Sequence, residues 1–451
     1  MRRRDRCFTS ARVRHAVSAI DSGGSMAGAA AAAAAGAGLR SLLCTLLAFG
    51  ALTPAAGRTL AFVNLIYRHG DRSPIQAYPS DPYTEKDWPQ GFAQLTQIGM
   101  KQHYALGQYL RHRYSGFLSS SYDRNEIYVR STDIDRTLMS AEVNLAALYP
   151  PQEQQIFHPD LNWQPIPVHT VPVEQDKFLR FPQRNCPRYQ ELLEETMNSR
   201  EVQEKIQKNK DFLNMVSNKT KMNVTIENEW KVYDTIFCEK THHFSLPSWV
   251  TQEVITDLRE LNGFGIKILF GLNKTQEKSR LQGGLLLKQI LRNIDQAINE
   301  STPTPRLKLI MYSAHDLTII ALQIALNVYN NMIPPYASCY MFELYQEDDG
   351  SYTLDMYFRN QSDSEPHLLT LPKCTEHCPL QDFIRITKHL ITDDWTEECK
   401  ISRDTRQTGA VLGLTLGVLI GVSVLLGAAL YWHWNRKMRS HKVPTGSDEL
   451  A

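Results

Sequence analysis

Three short segments concentrate the side chains of this chain that could do chemistry. Arg68-His69-Gly70-Asp71-Arg72-Ser73-Pro74 follows one apolar run, Arg130-Ser131-Thr132-Asp133-Ile134-Asp135-Arg136 a second, and His315-Asp316 a third. They supply Arg68, Arg72 and Arg136, the histidines His69 and His315, and the acid Asp316. Guanidinium groups are planar forked donors that stay charged at any working pH and match tetrahedral oxyanions, so the set describes a phosphate pocket. The sequence has no His-Glu-x-x-His, no Cys-x-x-Cys pair and no Gly-x-x-x-x-Gly-Lys-Ser/Thr loop, so neither a metal nor a nucleotide-phosphate loop is expected and no cofactor is implied. A metal-free route calls for a protein nucleophile that divides the displacement into two steps. His69, held between two arginines, fits that role. Asp316 is placed to protonate the leaving alkoxide, the more so where a cleft raises its pKa.

Each of these residues also has a plain reading. His69 alone reads as a surface or structural histidine, Arg136 as a salt-bridge partner, and His315-Asp316 as a cap on the helix that follows. The functional reading rests on three strand ends all supplying phosphate-compatible side chains.

The elements that must position them follow from the hydrophobic pattern. Leu60 to Tyr67 is a short apolar run of the kind buried on both faces of a sheet. Residues 95 to 118 carry apolar side chains at helical spacing behind Thr96, a plausible cap; 126 to 130 is a second strand and 137 to 148 a second helix. After a long polar stretch, 307 to 313 resumes the strand pattern, a helix follows at 318 to 329, and 340 to 346 with 352 to 359 form antiparallel strands around Asp348-Asp349-Gly350. The fold class is therefore α/β, a mixed sheet flanked by helices, with ligands expected beyond the carboxyl ends of the strands. Segments 58–185 and 302–400 make the sheet domain, and 186–301, helical in composition, is an insertion expected to cover the cleft.

The two ends of the chain set the compartment. Residues 1–57 read as an Arg-rich leader followed by a secretory signal segment, with cleavage near Gly57 and a start of more usual length at Met26. Ala410 to Trp432 contains no charge and at about 1.5 Å per residue can cross a bilayer core of roughly 30 Å. Arg436, Lys437, Arg439 and Lys442 crowd its far side, so the chain is expected to be a type I protein anchored in the membrane by a single helix, with tail 433–451 in the cytoplasm. Five Asn-x-Ser/Thr sequons, at Asn218, Asn223, Asn273, Asn299 and Asn360, fit a secretory glycoprotein. Cys186, Cys238, Cys339, Cys374, Cys378 and Cys399 form an even set that reads as three disulfides; of the possible pairings only Cys374 with Cys378 is suggested by proximity. With 49 basic against 48 acidic side chains there is no global positive field, and no nucleic-acid partner is expected.

The motifs resemble those of the histidine acid phosphatases. Arg68-His69-Gly70-x-Arg72-x-Pro74 matches that family's signature, His315-Asp316 its distal pair, and the likeness extends through Trp88-Pro89-Gln90-Gly91-Phe92, Arg130 to Asp133, Ser279 to Gly284 and Pro335 to Cys339. The resemblance implies a phosphoglycerate-mutase-like histidine phosphatase fold and hydrolysis of phosphate monoesters, including small molecules and phosphotyrosine. It implies His69 as the nucleophile that becomes phosphohistidine, Asp316 as proton donor, and Arg68, Arg72, Arg136 and His315 as phosphate ligands. It further implies the pairings Cys186 with Cys399, Cys238 with Cys339 and Cys374 with Cys378, and a homodimer with Trp163 and His169 near its contact. Two departures stand out: Leu317-Thr318 follows the His-Asp pair where the family usually has Thr-Thr, and the tail has no Tyr for a tyrosine-based sorting signal. The alternatives are a phytate or phosphoinositide phosphatase of the same superfamily, or a catalytically silent binding ectodomain.

Overall fold

A computed structural model describes residues 57–299, 307–361, 364–401 and 403–440. The leader with Met26 and the signal segment, and the tail from 441 onward, lie outside the described residues. Strand β1 (Thr59–Arg68) lies between β3 (Leu309–Ala314), which it pairs in parallel, and β4 (Cys339–Gln346), which it pairs in antiparallel fashion. β2 (Ile127–Ser131) adds in parallel to the far side of β3, and β5 (Tyr352–Arg359) and β6 (His367–Leu369) continue the antiparallel side, giving the order β2-β3-β1-β4-β5-β6. The two-residue β7 (Cys378–Pro379) also pairs with β5. β6 and β7 are edge pieces too short to carry a period-two signal in the sequence.

Alternation along the strands explains why apolar residues run almost without a break. Val63, Leu65 and Tyr67 of β1, with Leu309, Met311 and Met341, bury one face against α1 (Gln97–Arg113) and α2 (Asp135–Leu148). Phe62, Ile66, Ile310, Tyr312, Tyr340 and Phe342 bury the other. Both faces are covered, so every strand position wants an apolar side chain. α1 begins where expected, with the Thr96 hydroxyl accepting from the Gly99 amide at 3.2 Å. It ends before the expected boundary, ahead of Gly116, whose φ of +83° breaks the helical path.

Among the described residues, seven α-helices lie between β2 and β3 after α2: α3 (Pro187–Met197), α4 (Arg200–Lys208), α5 (Lys210–Thr220), α6 (Trp230–Thr241), α7 (Gln252–Ile266), α8 (Thr275–Leu281) and α9 (Gly283–Ile298). They do not pack as one body. Val202, Leu213, Val216, Val232, Ile236, Leu258 and Leu261 of α4 to α7 form their own core, whereas Leu286, Leu287, Ile290 and Ile294 of α9 join the core on the sheet. α10 (Asp316–Ala325) follows β3, and its end at Ala325, before the expected 329, coincides with Asn327 at φ +54°. α11 (Leu380–Thr387) and α12 (Trp395–Glu398) precede α13 (Arg403–Ser440). Within α13, Leu414–Met438 is long and apolar enough to cross a membrane.

Two of the three implied disulfides form, Cys186–Cys399 and Cys374–Cys378. Cys238 and Cys339 are buried and unjoined. Strand alternation aims Cys339 into the core beneath α1 and α2, while Cys238 on α6 lies against Arg72 and Tyr336, so the two sulfurs occupy different environments.

Candidate active site

The parallel strands β2, β3 and β1 end side by side, and each delivers one of the segments singled out in the sequence. Arg68 closes β1, and the turn after it packs unusually tightly on α1. A Cβ added to Gly70 would lie 2.4 Å from the carbonyl oxygen of Gly99, and one added to Gly99 would lie 2.2 Å from that of Asp71. Two glycines thus let two backbones touch and fix where His69 points. The Gly70 amide donates to the Ser140 hydroxyl, and buried His103 of α1 meets the Arg68 carbonyl through Nε2 at 3.0 Å.

His69 is 2% exposed. Its Nδ1 lies 2.8 Å from the Gly70 carbonyl oxygen, which can only accept, so Nδ1 carries the proton and Nε2 is left with its lone pair. Burial, then Arg136, Arg68, His315 and Arg72, hold the ring's pKa well below the usual histidine value. These effects favour the neutral imidazole.

The three guanidiniums differ in what occupies them. Arg72 is gripped bidentately by Asp234 of α6, at 2.8 and 3.1 Å. Arg68 pairs with Asp316 at 2.9 Å, donates to the Pro334 carbonyl and lies 4.1 Å over the Tyr336 ring. Arg136 forms no carboxylate pair among the described residues. It donates only a long 3.5 Å bond to the Ala93 carbonyl, and burial together with Arg72 lowers its pKa to about 10. Arg136 is thus a partly buried cation that feels Asp316 and Asp234 only at a distance and has no carboxylate bonded to it among the described residues, an arrangement that favours an incoming anion.

His315 caps α10, its ring accepting from the Thr318 backbone, and its Nε2 lies 3.0 Å from the Thr132 hydroxyl. Burial and Arg136 push its pKa down to about 3. Asp316 begins the helix. The raised pKa expected for it is not found: burial acts to raise it, but Arg68, Arg72 and His315 outweigh burial and leave the carboxyl ionised below its ordinary value. The sequence reading weighed the cleft's low polarity but not the arginines against it. The Leu317 departure is harmless to this turn. Leu317 packs on the core, while the Thr318 hydroxyl accepts from the His315 amide and donates to the Leu179 carbonyl.

All six expected residues thus meet around His69. The sequence analysis missed their supports. Asp234, Cys238 and His242 of the α6 region hold Arg72 and Asp71, and Tyr336 lies 5.7 Å from His69, ring to ring. The four-residue spacing of Asp234, Cys238 and His242 was the available signal. Next to them, Asp81 Oδ2 and Glu239 Oε2 are buried without another donor, and the two carboxyls contact each other. Burial and then Asp81 lift Glu239 to about 8, which favours its protonated form.

Residues 59–361 match the histidine phosphatase superfamily (branch 2), and the chain belongs to that superfamily. It is 53% identical over 384 residues to lysosomal acid phosphatase of Rattus norvegicus, covering 84% of this chain and 90% of the rat protein. It is 54% identical over 346 residues to prostatic acid phosphatase of Bos taurus, covering 76% and 88% respectively. Among solved structures it resembles Hafnia alvei phytase in complex with myo-inositol hexakis sulphate, with a TM-score of 0.57 at 17% identity, covering 77% of this chain and all of that one. That last likeness is one of fold. The protein is an acid phosphatase of the superfamily, a hydrolase of phosphate monoesters.

Proposed function

We propose that His69 Nε2 attacks phosphorus in line while Asp316 delivers a proton to the departing alkoxide, leaving phosphohistidine and an alcohol. Water then attacks the phosphohistidine, gives its proton to the Asp316 carboxylate, and inorganic phosphate leaves. Arg68, Arg72, Arg136 and His315 hold the phosphoryl oxygens as charge spreads over them. The observation that carries this reading is His69 itself, kept neutral by burial and three arginines, with Nδ1 tied to Gly70 and Nε2 unoccupied.

The Arg68–Asp316 pair gives the acid step its timing. An ionised Asp316 cannot donate. An arriving phosphoryl group recruits Arg68 and sets new negative charge beside the carboxylate, and both changes raise its pKa. Protonation is thereby coupled to substrate binding, and acid solution favours it further. The stereochemical test is transfer of an isotopically chiral phosphoryl group to an alcohol acceptor. Two in-line displacements give net retention at phosphorus; inversion would mean a single direct displacement and would remove His69 from the reaction path.

The anchor and assembly belong to the same reading. We infer a type I protein with its catalytic domain on the lumenal or extracellular side, supported by α13 and by relatives named lysosomal acid phosphatase. A homodimer is supported by the exposed Phe157 and Trp163 and by the stacked Tyr128 and His169 rings, 4.8 Å apart. Protease protection of the short tail in sealed vesicles tests the orientation. Sedimentation of the ectodomain with Trp163→Glu tests the dimer.

A further inference from the structure

Helix α6 grips the loop that carries the proposed nucleophile at successive turns. Asp234, Cys238 and His242 are spaced by four, so they form one stripe. Asp234 holds Arg72 with both carboxylate oxygens and also accepts from the Ile75 amide. Arg72 reaches the Cys238 sulfur at 3.7 Å. At the end of the stripe, where the helix presents its unsatisfied carbonyls, His242 Nε2 lies 2.6 Å from Asp71 Oδ2. Asp71 stands two residues from His69 and beside Arg72. It is 1% exposed, its Oδ1 has no hydrogen-bond partner among the described residues, and Oδ2 is shared between the Thr96 hydroxyl and His242. Of those two partners only the imidazole can carry positive charge.

We propose that His242 is a positioning residue for phosphoryl transfer: by occupying Asp71, it keeps that carboxylate from drawing the Arg68–Arg72 turn out of the geometry that serves the transferring phosphoryl group in the transition state. The proposal rests on the assignment of His69 as nucleophile. Without His242, a buried carboxylate would be left with one hydroxyl donor in the residue that adjoins Arg72 in the turn. His242 does not touch the reacting atoms. Its ring stands edge-on to Trp88 at 5.1 Å and is mostly buried, which fixes where its N–H points.

The test is steady-state turnover of p-nitrophenyl phosphate by the soluble ectodomain, with melting temperatures recorded alongside. His242→Ala is expected to lower kcat by about ten- to a hundredfold with KM within about twofold. His242→Gln keeps an N–H and is expected to stay within about fivefold of wild type, whereas His242→Met, of similar size without a donor, behaves like His242→Ala. Adding Asp71→Asn to His242→Ala removes the charge that needs holding and is expected to recover most of the lost kcat. If His242→Ala does not fold, the Gln and Met variants carry the same comparison. Wild-type kcat in His242→Met, or a double variant at or below the product of the two single losses, would overturn the proposal. His69→Ala serves as the control: if it stays active, the nucleophile assignment has failed, and if it is inactive while His242→Met is normal, only this inference has.

Discussion

The strand-end side and the α6 side of the site treat buried carboxyl groups in opposite ways. Asp316 begins a helix between Arg68 and His315, and its charge is held on despite burial. Glu239, one turn past the residue that holds Arg72, faces Asp81, and burial and then Asp81 raise its pKa to about 8. Desolvation acts in the same direction at both. What differs is the sign of the nearest charge: arginines favour the ionised form of Asp316, and a second carboxyl favours the protonated form of Glu239.

Replacing Asp316 is the largest expected disruption of this contrast. Asp316→Asn should lower kcat by about 10²–10⁴-fold on alkyl phosphates. The loss should be far smaller on p-nitrophenyl phosphate, whose leaving group needs no proton, and equal losses on both substrates would remove the acid role. Arg136→Ala should cost about 10²–10³-fold in kcat/KM. Its melting temperature should hold, because the guanidinium has no carboxylate to abandon; a large thermal loss would mean its charge is satisfied within the protein.

Gly70→Ala tests the packing that aims the nucleophile. The added Cβ meets the Gly99 backbone, and destabilisation of about 1–3 kcal/mol with loss of turnover is expected in denaturant titration. The smallest effect belongs to Glu239. A carboxyl whose folded pKa is raised to about 8 binds a proton in the native state that the unfolded chain releases near the ordinary value of 4.5. Its stabilisation is therefore full below that value and fades as pH rises toward 8. Glu239→Gln should match wild type at pH 5 and melt a few degrees higher at pH 8. An unchanged difference between the two pH values would show that no shared proton exists.

The strand-end side was legible in the sequence because its residues lie in short motifs directly after buried strands. Arg68, His69 and Arg72 share one turn, and topology alone brings Arg136, His315 and Asp316 to them. The α6 side was not legible. Asp234, Glu239 and His242 read as ordinary polar positions on an amphipathic helix, and their meaning depends on a loop more than 150 residues earlier in the chain. The ionisation of Asp316 was misjudged for a related reason, since it depends on an arginine from another strand. The pairing of Cys238 with Cys339, implied by the family resemblance alone, does not form because Cys339 on β4 faces the core beneath α1 and α2 while Cys238 lies against Arg72 and Tyr336.

The central claim is that His69 Nε2 carries the phosphoryl group between its two transfers. Acid-free denaturant quench of the ectodomain during turnover of a ³²P-labelled monoester tests it directly. The label should appear at up to one phosphoryl group per chain, on the peptide containing His69, stable to base and lost in acid. An unlabelled protein under turnover, or label on any other residue, would contradict the account.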